Sequence, residues 1–228
     1  MTNQPVCLKI VDILVKYMIE LIRKKAVTEE IDYQFLMDCL AEYKNPRDKI
    51  TRLMRSGAIV RVKKGLYVFG EAYARQPLSR ETLANLIYGP SYISLEYALS
   101  FYGMIPERVE VVTSVTSKRN KFFKTPAGSF SYTRIPPQMF NVGMTQIALD
   151  ETHNILIATK EKALADKVFL TEKLGTVEDM TAYMIEDLRI EPEVLSSFDL
   201  KDLKMISEMG NNRNVSLLLK AIRKAVKK

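Results

Sequence analysis

The chain has two cysteines and one histidine among its 228 residues, and each scarcity removes a class of chemistry. Cys7 and Cys39 lie in apolar helical surroundings without paired spacing. Neither a disulfide framework nor a zinc site is expected, and both read as small buried thiols of a reducing cytoplasm. With His153 as the single histidine, set beside Asn154 in a predicted turn, no site that needs several histidines can be built. A Gly-rich phosphate loop is also missing; Gly89-Pro90 is only a turn. Long hydrophobic runs are absent too. The apolar stretch Leu8–Ile22 is broken by Lys9, Asp12, Lys16 and Glu20, so neither a signal peptide nor a transmembrane helix is expected. There is no internal repeat and no low-complexity segment. The expectation is a cytoplasmic protein with no membrane contact, no catalytic residue, no metal and no cofactor.

What is present is an ordinary globular composition, 47% hydrophobic and 27% charged, with a net charge of +7. The length suits two modest domains or one large one. Leu8, Val11, Leu14, Val15, Met18, Leu21 and Ile22 recur at helical spacing, predicting a helix over 6–25. A second helix is predicted over Tyr33–Tyr43, with Phe35, Leu36, Cys39 and Leu40 on its apolar side. Asn45 and Pro46 then open a third, as N-cap and first helical residue, and Gly57 closes it as a left-handed cap. Ile50, Leu53 and Met54 make a narrow apolar stripe on this helix, while Arg47, Lys49, Thr51, Arg52 and Arg55 occupy its other side. Two short strands, Ala58–Val62 and Leu66–Phe69, follow around the turn Lys63-Lys64-Gly65.

Helix, helix, basic helix and a hairpin with a basic tip is the order of a winged helix-turn-helix. Between Lys44 and Lys64 the cations are Lys44, Arg47, Lys49, Arg52, Arg55, Arg61, Lys63 and Lys64, against the single acid Asp48. That excess matches the net charge of the whole chain. Long cationic side chains on a helix can reach phosphates and guanine edges in the major groove, and a basic wing adds phosphate or minor-groove contacts. These nine residues, Lys44, Arg47, Lys49, Thr51, Arg52, Arg55, Arg61, Lys63 and Lys64, are therefore the candidate contacts to double-stranded DNA. A solvated basic face without a partner is the bland alternative.

Beyond Gly70 the pattern changes. A polar helical connector is predicted over Glu71–Leu86, then a helix over Tyr92–Tyr102 stopped by Gly103 and Pro106. Strands are predicted at Val109–Val115, Phe130–Ile135, Gln146–Leu149 and Ile155–Ala158, and a helix over Lys160–Leu170. From Val177 the chain reads as helical, with breaks at Pro192 and Gly210. The fold class is thus α+β, in two domains: a winged helix-turn-helix over 1–75 and a mixed α/β domain with a helical tail over 76–228.

Three further features admit two readings each. The tail from Arg213 to Lys228 carries six cations and the stripe Leu218, Leu219, Ile222 and Val226, as a docked amphipathic helix or a nucleic-acid contact would. The stretch Thr116–Lys124 interleaves bases with Phe122 and Phe123, which suits a nucleic-acid track or an edge strand guarded by lysines. Asp150, Glu151, Glu161 and Asp166 invite a nuclease reading, but their spacing around Lys160 and Lys162 lacks the Glu-x-Lys pairing of one common nuclease class. Surface acids in a strand-helix segment is the expected explanation.

The run Tyr92-Ile93-Ser94-Leu95-Glu96-Tyr97-Ala98-Leu99-Ser100-Phe101-Tyr102-Gly103-Met104-Ile105-Pro106-Glu107 resembles the AbiEi antitoxin family. Val112–Arg119, Thr125–Tyr132 and Ala158–Asp166 agree with the family in the same order, and the similarity spans roughly residues 10–170. The resemblance implies a transcriptional autorepressor whose winged helix binds inverted repeats at its own promoter. It also implies that the second domain is an antitoxin countering a nucleotidyltransferase-like toxin encoded next door. The system is classed as type IV, because toxin and antitoxin need not bind each other, and abortive infection of phage-attacked cells is its setting. Arg47, Lys49, Thr51, Arg52, Arg55, Arg61, Lys63 and Lys64 would then read the operator, and no catalytic residue carries over. The long helix before Thr28 departs from the family pattern and could mediate dimer contacts, leaving monomer and dimer both open. The competing functions are a stand-alone winged-helix regulator and a DNA-directed nuclease.

Overall fold

A computed structural model describes residues 6–226, with side chains described from Ile13 onward; the expectation for Cys7 lies outside the described side chains. The fold is mixed α+β, and the chain divides into two compact units. One runs up to Leu83 and includes Thr125–Ala127; the other comprises Ala84–Lys124 and the chain from Gly128 onward.

The first unit contains α1 (Val6–Lys25), β1 (Glu30–Asp32), α2 (Tyr33–Cys39), α3 (Pro46–Arg55), β2 (Ile59–Lys63) and β3 (Leu66–Phe69). Its three strands form an antiparallel sheet in the order β1-β3-β2. Val15, Met18, Ile19 and Ile22 of α1 pack with Leu36, Leu40, Ile50, Leu53, Ile59 and Phe69 in one core. α2 starts where the Asp32 carboxylate accepts the Phe35 N–H at 2.7 Å, a cap that satisfies one of the unpaired first-turn donors. It ends at Cys39, four residues short of the predicted Tyr43, and β1 was not foreseen. Arg23 and Glu29 form a buried ion pair, with the Arg23 guanidinium 3.8 Å above the Phe69 ring. Glu29 Oε1 also accepts the backbone N–H groups of Arg75 and Gln76. This carboxylate ties the segment after the hairpin back to α1.

Two glycines bracket the hairpin. Gly57, at φ +72°, turns the chain out of α3, as the left-handed cap expected there. Gly70 donates its N–H to the Ala58 carbonyl at 2.9 Å, and a β-carbon at Gly70 would lie 1.8 Å from the Gly57 carbonyl oxygen. Gly57→Ala is expected to cost about 1–2 kcal/mol, the penalty for a left-handed residue with open space around it. Gly70→Ala, which pushes backbone against backbone, should cost about 3 kcal/mol or more. Urea denaturation of the full chain checks this ordering. A Gly70→Ala midpoint equal to the parent's would mean that the two segments are not held this close.

The connector departs from its prediction. Glu71–Tyr73 is a short 3₁₀ turn, and only α4 (Arg80–Ile87) is α-helical, the chain between being irregular. The second unit then contains β4 (Ser91–Ile93), α5 (Leu95–Phe101), β5 (Val112–Thr116), β6 (Lys121–Thr125), β7 (Gly128–Arg134) and α6 (Pro137–Phe140). It continues with β8 (Met144–Ala148), β9 (Asn154–Ala158), α7 (Lys160–Leu170) and α8 (Val177–Ala182). A π-helical turn at Tyr183–Asp187 leads to α9 (Pro192–Ser196), α10 (Leu200–Gly210) and α11 (Arg213–Val226). Six strands form one sheet in the order β6-β7-β5-β4-β9-β8. The pairs β5–β7 and β4–β9 are parallel, whereas β4–β5 and β8–β9 are antiparallel.

The predicted helix over Tyr92–Tyr102 holds as α5 from Leu95 to Phe101, but its first two residues are strand: Ser91, Tyr92 and Ile93 pair with Thr116, Val115 and Ser114. A three-residue strand is too short to show a period of its own, so helical spacing absorbed it. The predicted strand from Val109 starts at Val112. Pro192 and Gly210 act as foreseen, opening α9 and closing α10. α11 buries Val215, Leu218, Ala221 and Ile222, while Arg213 donates to the Gly175 carbonyl and Lys224 pairs with Glu178. Helix docking accounts for this segment; Lys227 and Lys228 lie outside the described residues.

Candidate nucleic-acid interface and a buried polar centre

α3 buries Ile50 and Leu53, and its opposite side carries Arg47, Thr51 and Arg55 at four-residue spacing with Arg52 beside them. Asn45 occupies the N-cap position but makes no side-chain cap bond; Pro46 starts the helix as expected, and the Asp48 carboxylate lies in its first turn. Arg47 and Arg55 are exposed and Arg52 is half-buried. Arg47 Nε donates to the Tyr33 hydroxyl at 3.1 Å, which orients the guanidinium and leaves its terminal nitrogens without a partner among the described residues. The Thr51 hydroxyl donates to the Arg47 carbonyl at 3.1 Å, so it faces its own helix and offers only lone pairs outward. Lys49 sits to one side, half-buried, with Nζ 5.3 Å from the centre of the Tyr43 ring.

Lys44 is exposed just before α3. Arg61 and Lys64 are exposed on the hairpin, Lys63 is half-buried, and Gly65 makes the turn at φ +88°. Among the described residues, Lys44, Arg52, Arg55, Arg61 and Lys64 have no side-chain hydrogen bond or ion pair, so their cationic heads are available to an anion. The first unit thus presents a row of cations on a helix buried by its other side, beside a cationic hairpin. Tyr33 and Tyr43, which position Arg47 and Lys49, were not singled out in the sequence. Their signal was an aromatic at each end of the predicted second helix.

The second unit holds a buried polar centre that the sequence reading placed wrongly. Glu161 and Asp166, expected as surface acids, are buried, as is Lys162; Asp166 and Lys162 have no exposed surface. Asp166 pairs with Lys162 one turn earlier. Its other oxygen accepts the Ser94 hydroxyl at 2.7 Å and the Tyr92 hydroxyl at 3.1 Å. Lys162 Nζ lies 5.4 Å from the Tyr92 ring centre, and its stem runs against Gly143. Burial pushes the Asp166 carboxyl up, the Lys162 ammonium down and the Tyr92 phenol well above its usual range. The mutual contact of Lys162 and Asp166 opposes the first two shifts. Whichever atom holds the shared proton, the pair is neutral as a whole.

The error has a physical origin. All six residues from Glu161 to Asp166 are buried, so α7 is covered on every side, and a lysine four residues from an aspartate looks like a solvent pair only on a half-exposed helix. Glu161 is used as well, accepting the Asp199 N–H at 2.9 Å before α10. Next to Ser94, Leu95 takes φ +60°, a strained conformation for a leucine, held where the Ser94 hydroxyl reaches Asp166. The nuclease alternative drew on Asp150, Glu151, Glu161 and Asp166, and three of these acids are engaged within the protein. Asp166 is sealed from solvent, and Asp150 is spent on a turn, accepting from Thr152 and His153, which hold its carboxyl well below the usual range. The His153 ring, at the end of the turn that leads into β9, is buried. No helix among the described residues is long and apolar enough to cross a membrane.

No family model matches the chain, and no curated protein matches it.

Proposed function

We propose that the chain is a DNA-binding autorepressor and the antitoxin of a type IV, AbiE-like system. In this reading the first unit is a winged helix-turn-helix, with α3 as its recognition helix and the β2–β3 hairpin as its wing. The observation that carries it is the outward side of α3: Arg47, Arg52 and Arg55 free of acidic partners, beside the cationic tip of a two-residue hairpin. An α-helix fits the B-DNA major groove, and a hairpin alongside reaches the flanking phosphates. The antitoxin half rests on the resemblance. Three of its segments meet in the second unit: Tyr92 and Ser94 reach Asp166, and Thr113 donates to the Ser94 carbonyl at 2.6 Å. A packed centre of this kind supports a second domain with a role of its own, aimed at a nucleotidyltransferase-like toxin without required contact.

Base reading and phosphate clamping separate by substitution. Arg52→Ala is expected to relax sequence preference, losing about 1–3 kcal/mol on the chain's own promoter if Arg52 holds a bidentate guanine contact. Lys64→Ala should weaken promoter and unrelated duplexes alike and flatten the salt dependence, since it removes one released counterion. Fluorescence anisotropy against NaCl on both duplexes reads this. Uniform loss in both variants would mean that α3 does not lie in the major groove, and salt-insensitive binding by the parent would end the DNA reading.

A further inference from the structure

The acid-free stretch Val111–Leu149 carries five cations, Lys118, Arg119, Lys121, Lys124 and Arg134, clustered around β6 at the edge of the six-stranded sheet. Among the described residues, the side chains of Arg119, Lys121, Lys124 and Arg134 have no hydrogen bond or ion pair. Lys118 alone is engaged, donating to the Gly89 carbonyl at 2.7 Å. Within β6 the two phenylalanines go opposite ways. Phe123 joins Tyr88 and Tyr132 in an aromatic cluster, 6.0 and 5.7 Å from their ring centres. Phe122 points to the other side and is 61% exposed. On β7, Phe130 and Tyr132 are buried while Ser129, Ser131 and Thr133 are half-buried, so the side that Phe122 shares is lined by hydroxyls. Lysines alone would guard an edge strand from aggregation, but an exposed phenylalanine works against that purpose.

We infer that this edge binds single-stranded nucleic acid, with the Phe122 ring as a stacking platform and Lys124, on the same side of β6, holding the backbone, while Lys121 and Arg134, which alternate to the opposite side, and Arg119 add to the positive field of the edge. A base has a π-face whatever its identity, and a flexible strand can present it to a ring standing on a sheet edge while its phosphates meet the cations. A duplex keeps its bases stacked inside and has nothing to offer Phe122. The site lies in the second unit and does not depend on the recognition helix.

The test uses the full chain carrying Arg47→Ala, Arg52→Ala and Arg55→Ala, so that α3 contributes little, and labelled oligo(U) and oligo(dT) as probes. Salt-sensitive binding of these strands is expected. Adding Phe122→Ala should weaken it roughly 5- to 150-fold, the usual range for losing one stacked base. Lys124→Glu should weaken it too, by a factor relative to its parent that grows as salt is lowered. Phe122 is exposed, so both variants should melt with their parent. Tighter binding of oligo(U) would assign RNA as the ligand, and equal binding would assign either sugar. Absence of binding to both strands overturns the inference. So does a Phe122→Ala variant that binds as its parent does, whether or not Lys124→Glu weakens binding. Promoter binding by the unmodified chain is a separate readout, so failure here and failure of the operator reading cannot be confused.

Discussion

Lys162→Met should destabilise the second unit by about 3–5 kcal/mol, the cost of removing one partner of a buried ion pair. The variant leaves Asp166 enclosed, with only the Ser94 and Tyr92 hydroxyls to hold its charge. Its carboxyl, which burial already pushes up, then loses the ammonium that opposed that shift. An acid with a raised folded value holds its proton more tightly folded than unfolded. Its stability contribution is full below the ordinary carboxylate value of about 4 and is lost as the pH climbs through the folded value. The Lys162→Met variant should therefore be nearer its parent at about pH 5 than at about pH 8 in urea denaturation. The double variant Lys162→Met/Asp166→Leu should recover most of the loss, because no charge remains to be buried and both side chains are apolar. Parental stability of the single variant at neutral pH would show that the pair does not hold the unit together.

Changing Arg47, Arg52 and Arg55 together to alanine should cut affinity for the promoter duplex roughly a hundredfold or more, at about 1 kcal/mol or more per residue. The helix should survive, because alanine is the best helix former and none of the three belongs to the buried side. The loss of the Arg47–Tyr33 hydrogen bond is an exposed and small cost. The same variant separates the two proposed activities. Supplied from an unrelated promoter with the neighbouring toxin, it should lose repression and still restore growth. Growth would be compared with cells making toxin alone and with cells making toxin and the unmodified chain. A folded, equally abundant triple variant that fails to rescue would mean neutralisation works through DNA, and the two-function reading would have to be abandoned.

The parts of the fold legible in the sequence are those where burial falls on one side of an element. α1, α3 and α11 each bury one stripe, and a period of 3.6 records it. Gly57 and Gly65 mark turns because both take a positive φ. The cations of α3 and the hairpin stood out for the same reason, since a charged face opposite an apolar stripe has to point away from the core. β1 and β4, three residues each, were invisible because so short a strand carries no period, and what makes them strands is a partner elsewhere in the chain.

Composition and periodicity by themselves determined the basic helix with its hairpin, the α+β character and the amphipathic tail, because each is written in neighbouring residues. Tertiary structure alone decided the polar centre. The strand order sets β4 beside β9, α7 follows β9 directly, and Tyr92 thereby meets Asp166 across 74 residues. It also decided the direction of the two adjacent phenylalanines of β6, one turned into an aromatic cluster and the other into solvent. A lysine four residues before an aspartate reads the same on a surface helix and on an enclosed one. The difference lies in what packs around the helix, and that depends on contacts between segments far apart in the chain.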